Sequence, residues 1–130
     1  MAALKSRGQG MIRIEAPITP VPFRRVMTSG KRRYNSARYT EFKEELGYFA
    51  LKAMGGREPL KGAVRVRAQF YRLKPRRLIS RLWGDVDNHL KSVLDALSGI
   101  VYADDAQVIE VSGKKSYGEP RVVIEVEELK

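Results

Sequence analysis

The sequence contains no cysteine. That excludes thiolate zinc sites, iron–sulfur clusters and cysteine nucleophiles, and it gives no sign of an oxidising compartment. It holds a single histidine, His89, too few for a poly-histidine metal site and a poor basis for a Ser-His-Asp triad. No apolar run approaches the roughly 20 residues of a membrane span. Residues 1–10 include Lys5 and Arg7 but no apolar stretch to act as a signal-peptide core, so a cytoplasmic protein is expected. Acid is also missing from two long windows. Between Glu15 and Glu41 there are only bases, Arg24, Arg25, Lys31, Arg32, Arg33 and Arg38. Between Glu58 and Asp85 the charged residues are Lys61, Arg65, Arg67, Arg72, Lys74, Arg76, Arg77 and Arg81.

What is present is an excess of positive charge. Lys and Arg number 25 against 15 Asp and Glu, a formal net charge of +10 on 130 residues. The partner such a surface suits best is a polyanion, and nucleic acid is the usual one, because neutralised phosphates release condensed counterions. An anionic membrane fits less well, since no long basic amphipathic helix is apparent. Solubility alone is the plain alternative.

The length suits one domain able to hold a core without disulfides. Residues 1–9 read as a disordered tail, and 10–130 as a single domain. Met11–Ala16 alternates like a strand, and Pro17, Pro20 and Pro22 then keep the chain extended. Thr28–Asn35 reads as a basic loop. Ser36 is a candidate N-cap for a helix over 37–54, with Phe42, Leu46, Phe49, Ala50 and Ala53 on one face and Gly55-Gly56 as its stop. Ala63–Tyr71 alternates apolar residues with Arg65, Arg67 and Gln69, a half-buried strand. A second helix is predicted over 86–98, closed by Gly99. Ala106–Val111 and Arg121–Glu127 read as antiparallel strands joined by a polar turn over 112–120. The order is β-α-β-α-β-β, an α+β fold with a mixed sheet and two main helices packed on it.

All five aspartates, Asp85, Asp87, Asp95, Asp104 and Asp105, fall within 21 consecutive residues. Asp85 and Asp87 stand where the second helix begins, a position that favours carboxylates by itself. Asp87, Lys91 and Asp95 are spaced by four, so they share one stripe, and two ion pairs worth a few tenths of a kcal/mol each would account for it. The doublet Asp104-Asp105 has no such account. If the link over 98–103 returns the chain to the helix, Asp85, Asp87 and Asp105 converge. Carboxylates about 4 Å apart repel by roughly 4 kcal/mol at an effective dielectric of 20, and a hard cation, Mg²⁺ or Mn²⁺, would relieve that. Carboxylates, a divalent ion and a basic surface together point to metal-assisted phosphodiester hydrolysis. Lys91, one turn after Asp87, is placed to hold the water or a phosphate oxygen. Arg76, Arg77 and Arg81 precede the acids directly and are expected to touch phosphate. His89 is read as a packing residue, Trp83 as an anchor or base-stacking group, and Phe23 and Tyr34 as aromatics within the basic loop.

The blocks Asp85-Val86-Asp87-Asn88-His89-Leu90-Lys91, Leu94-Asp95-Ala96-Leu97 and Asp104-Asp105-Ala106-Gln107-Val108, in that order, resemble the signature of RusA-type Holliday-junction resolvases. Lys115-Ser116-Tyr117 resembles the family's ending. The resemblance implies a Mg²⁺-dependent endonuclease, with Mn²⁺ able to substitute, acting as a homodimer that makes paired nicks in branched DNA, namely four-way junctions. It implies metal-binding Asp85, Asp87 and Asp105, a catalytic Lys91, and supporting roles for Asn88, Asp95 and Asp104. Arg24, Arg25, Lys31, Arg32, Arg33, Arg76, Arg77, Arg81 and Lys115 are the candidate DNA contacts. A bacterial or prophage origin, and a part in DNA recombination and repair, go with it. Two other readings remain open from the residues themselves: a non-catalytic basic module for structured DNA or RNA, and a metal nuclease acting on flaps or plain duplex. A dimer interface would be expected on an apolar segment poor in Lys and Arg, either the remaining face of the second helix or a strand edge near 122–126.

Overall fold

The computed structural model describes residues 11–23, 27–29, 32–34, 37–74 and 84–129. Its elements are β1 (Met11–Ala16), β2 (Met27–Ser29), β3 (Arg32–Tyr34), α1 (Ala37–Met54), β4 (Val64–Arg72), α2 (Val86–Leu97), a 3₁₀ turn at Asp105–Gln107, β5 (Val108–Tyr117) and β6 (Arg121–Glu128). The tail expected over 1–9, the cap Ser36 and the side chain of Trp83 lie outside the described residues. The basic loop contains a small antiparallel pair, β2 with β3, where no strand is expected.

Period-two alternation in β4 buries Val64, Val66, Ala68 and Phe70 and turns Arg65 and Arg67 to the opposite face. Ile12, Ile14 and Ala16 of β1 and Val122, Ile124 and Val126 of β6 are buried with them. In α1 the buried set is Tyr39, Phe42, Leu46, Gly47, Ala50 and Met54, the spacing of one helical stripe. In α2 it is His89, Ser92, Val93, Ala96 and Leu97. One face of the sheet therefore carries the core. The other is polar, with Arg13 paired to Glu15 and Glu125 and Arg65 to Glu110 and Glu127.

The sheet order is β1-β6-β4-β5, antiparallel except for β4 with β5, which run parallel. This corrects the hairpin expected between the last two strands. Residues 112–117 continue β5 instead of turning, and β4 lies between β5 and β6. The misleading residue is Gly113. It marks a close approach rather than a turn: a Cβ there would lie 2.9 Å from Leu90 of α2. Residues 118–120 then cross the end of β4, where the Gly118 N–H donates to Arg72 O at 2.8 Å. Parallel neighbours need a crossover connection, and α2 provides it. Because β6 is an interior strand with Val122, Val123, Ile124 and Val126 buried, the edge near 122–126 is not available to a partner.

Candidate active site

The crossover sets α2 beside the strands at a defined level. Gly113 packs on Leu90, and the Lys115 ammonium donates to Gly84 O, so the first turns of α2 sit at the carboxyl ends of β4 and β5. In open α/β sheets that end is where ligand sites form. Gly84 makes the approach possible: its φ is +81°, and a Cβ would meet Pro22 at 3.0 Å. Only glycine adopts this backbone readily.

Asp85 holds the N-cap position, but its side chain makes no capping hydrogen bond. Asp85 and Asp87 are both exposed, and neither enters an ion pair among the described residues. The helix dipole favours their charge, but among the described residues no side chain pairs with it. Asn88 contributes through its main chain, its carbonyl accepting the Phe23 N–H at 2.9 Å. That bond draws the Pro-rich segment onto the helix. Arg72, at the end of β4, secures the same segment by donating to Pro20 O at 2.6 Å. Burial and the neighbouring Arg38 push the Arg72 guanidinium below its ordinary pKa.

Phe23 then meets two side chains. Its ring packs edge-on against Tyr39, with centroids 5.6 Å apart, and the Lys91 ammonium lies 5.5 Å from its centroid. Lys91 is thus held over an aromatic face, and along the Asp87-Lys91-Asp95 stripe no ion pair forms among the described residues. Asp95, the other end of that stripe, turns toward α1 instead: it accepts from Tyr39 Oη at 2.7 Å and pairs with Lys43 at 2.8 Å. Burial works to raise the Asp95 carboxyl, but the hydrogen bonds from Lys43 and Tyr39 outweigh it and hold the pKa below the usual range. Burial and that same bond push the Tyr39 phenol well up. Asp95 is therefore a strut between the helices. His89 is fully buried against Phe70, with ring centroids 5.0 Å apart, as its packing role requires.

The other two aspartates lie at the far end of α2. Tyr102 Oη donates to Leu94 O at 2.9 Å, tying the returning chain to the last turn. The Asp104 N–H donates to Gln107 Oε1 at 2.9 Å, and Gln107 Nε2 donates to Leu60 O and Gly62 O. Asp104-Asp105 thereby precede Val108, which pairs with Val64 at the start of β4. From Val108 to Gly113 alone is about 16 Å at the rise of a strand. The convergence expected of Asp85, Asp87 and Asp105 does not occur within one chain. Among the described residues no three His, Cys, Asp or Glu side chains are grouped to hold a metal ion.

Of the expected DNA contacts, Arg24, Arg25, Lys31, Arg76, Arg77 and Arg81 lie outside the described residues. Arg32 and Arg33 are placed by the backbone of β3 alone. Lys115 is at the site. Sequence reasoning passed over Tyr39 and Arg72, and it did not connect Phe23 with Lys91. A tyrosine opening the apolar stripe of α1, and an aromatic directly after a proline run, were the signals available. No helix among the described residues is long and apolar enough to cross a membrane.

One stretch of 46 residues is 46% identical to a Bacillus subtilis (strain 168) protein called "Uncharacterized protein YqaN". It covers 35% of this chain and 32% of that protein, so the chain spans about a third of that relative's length. The family described as Endodeoxyribonuclease RusA matches residues 16–127, from the last residue of β1 almost to the end of β6, and the chain belongs to that family.

Proposed function

We propose that this protein is a divalent-metal-dependent, structure-selective endodeoxyribonuclease that resolves four-way DNA junctions by paired phosphodiester hydrolysis, as a homodimer, in DNA recombination and repair. One observation carries the reading. The N-terminal end of α2 presents Asp85, Asp87 and Lys91 together, and among the described residues both carboxylates are left out of the packing and ion pairing that occupy Asp95. Residues retained only for capping would be bonded as caps, and Asp85 is not.

The donor set fits a hard cation. Mg²⁺ is commonly held by one or two carboxylates, with waters and substrate phosphate oxygens completing the shell, and Asp85 and Asp87 supply the two. When bound, such an ion activates water and offsets charge at the scissile phosphate. Lys91 carries a fixed positive charge beside the carboxylates, where it binds a phosphate oxygen and stabilises charge developing there. Phe23 restricts where that ammonium can go. Arg72 and Lys115 add positive charge at the same end of the sheet. A four-way junction has two equivalent strands to cut, and a two-fold dimer presents two sites related as those phosphates are.

The test is a labelled four-way junction incubated with the protein and Mg²⁺, beside an EDTA control and a linear duplex of the same sequence. Paired nicks in the junction alone are expected. Binding without cleavage in Mg²⁺ or Mn²⁺ would make the protein a non-catalytic module, and equal cutting of the linear duplex would remove the structure selectivity.

A further inference from the structure

Five of the six tyrosines have described side chains, and four of these are engaged within the fold. Tyr39 donates to Asp95 and Tyr102 to Leu94 O. Tyr71 donates to Gln69, and the Arg121 guanidinium lies 3.6 Å from its ring centroid. Tyr48 packs edge-on against Phe49 and faces the Lys52 ammonium. Tyr117 differs. Its side chain makes no hydrogen bond, ring contact or ion pair among the described residues, and it is 45% exposed.

Strand register fixes where this open ring stands. Phe70 pairs with Lys115, and Arg72 with Tyr117. Phe70 is fully buried beneath the helices, so Lys115 and Tyr117, two residues apart, both lie on the helix side of the sheet. Lys115 donates to Gly84 O, the residue before Asp85. Tyr117 follows about 7 Å further along β5, beside Arg72, whose guanidinium holds Pro20 O. The ring therefore borders the end of the sheet that bears Asp85, Asp87 and Lys91, with Lys115 and Arg72 as its nearest cations.

We propose that Tyr117 is a nucleobase-stacking subsite: its ring receives a base that has left the helical stack beside the phosphate held at the N-terminal end of α2, and this contact favours branched over linear DNA. The subsite rests on the nuclease reading above and adds to it the group that senses the branch.

The chemistry of the contact explains the selectivity. Every base has a π-face, so an aromatic ring stacks on any of them. In a continuous duplex those faces are covered by neighbouring bases, and exposing one costs pairing and stacking. That cost is least for a base already unpaired or poorly stacked, which is the condition at a branch point. Lys115 and Arg72 can bind the phosphates on either side, but phosphate contacts position the nucleic acid without reading it. Other described aromatics at this end of the sheet are not open to the task. Phe23 is engaged by Tyr39 and Lys91, and Tyr71 lies on the opposite face of β4 against Arg121. Tyrosine also suits a half-wet position, because its hydroxyl stays solvated while the ring offers its face.

The test measures binding of Tyr117→Ala and Tyr117→Phe to a four-way junction and to a linear duplex in metal-free buffer, where no strand is cut. Loss of one base–aromatic stack corresponds to a weakening of about 5- to 100-fold. The alanine variant should bind the junction that much less tightly and the duplex as wild type does, and the phenylalanine variant should match wild type on both. A single abasic residue is then moved through the nucleotides bordering the branch point. At one of these positions wild-type affinity should fall to that of the alanine variant, and the alanine variant should lose nothing more. Equal losses on junction and duplex, a phenylalanine variant as weak as the alanine one, or an alanine deficit that persists at every abasic position would each overturn the subsite and leave the nuclease reading standing. No cleavage by the wild type in Mg²⁺ or Mn²⁺ would end the nuclease reading, and the binding measurements would still decide whether Tyr117 stacks on a base.

Discussion

The two ends of α2 treat their charges in opposite ways. Near the C-terminal end, Asp95 is hydrogen-bonded to Tyr39 and paired with Lys43, Tyr102 caps Leu94, and Val93 and Leu97 are fully buried. At the N-terminal end, Asp85 and Asp87 are exposed and bonded to no side chain among the described residues, and the Lys91 ammonium is set against a ring. The same helix thus carries acids that hold it in place and acids that contribute little to holding it. Carboxylates that the described residues leave unpaired, next to a lysine held in position, mark the end where chemistry is expected.

The sharpest break of this contrast is Asp87→Asn. If Asp87 is a metal ligand, as proposed, its loss forfeits several kcal/mol of transition-state charge stabilisation and should lower junction cleavage by at least about 100-fold, since each 1.4 kcal/mol is about a factor of ten. The melting temperature should hold or rise, and junction binding in metal-free buffer should hold or tighten, because one carboxylate fewer faces the phosphates. Cleavage and stability falling together would make Asp87 a structural residue. At the other end, Leu97→Ala removes a side chain with no exposed surface and should lower unfolding free energy by about 2–5 kcal/mol. Denaturant titration reads that loss, and cleavage per folded molecule should stay near wild type.

Asp95→Asn sharpens the contrast through pH. The native carboxyl is held below its ordinary pKa by Lys43 and Tyr39 against the opposing effect of burial, so the folded state favours its charged form. That stability is fully present above the unfolded carboxyl's value, near 3.9, and is lost as pH falls through the lower native value. At neutral pH the variant should unfold more easily by about 1 kcal/mol, the typical net worth of such a bond when half exposed. The gap between the two melting curves should narrow steadily as pH falls below about 4. A gap that is constant with pH would mean that the charge of Asp95 contributes nothing.

Much of the frame was legible from local pattern. The apolar stripe with its glycine stop located α1, and alternation located β1, β4 and β6, because these signals lie within one segment. Strand order did not lie within one segment. Nothing local to 108–117 states that β4 rather than β6 is its neighbour, and Gly113 carries a turn signal although its role is to admit Leu90. The site divides the same way. Asp85, Asp87 and Lys91 could be assigned to one end because a helix fixes their spacing, whereas the position of Asp105 depends on the level at which β5 docks beside β4. The partners of Asp95 could not be read from its own helix, where residues four apart are the neighbours on display, because Lys43 and Tyr39 belong to another.

The smallest expected effect concerns the group that holds Lys91. Phe23 is anchored from both sides, by its N–H to Asn88 O and by its edge-on contact with Tyr39, so its ring is a fixed surface on which the ammonium rests. A cation over an aromatic ring at a partly exposed site is worth about 0.5–1 kcal/mol. Phe23→Leu keeps the apolar volume and the backbone bond but removes the ring's negative face. The rate of a single turnover on a saturating junction should fall about 2–5-fold, the same energy expressed as a rate, with junction affinity nearly unchanged. Phe23→Tyr retains the ring and should restore the rate. A leucine variant that cleaves at the wild-type rate would show that Lys91 needs no support from the ring. One that loses affinity rather than rate would place Phe23 against the DNA instead of behind the lysine.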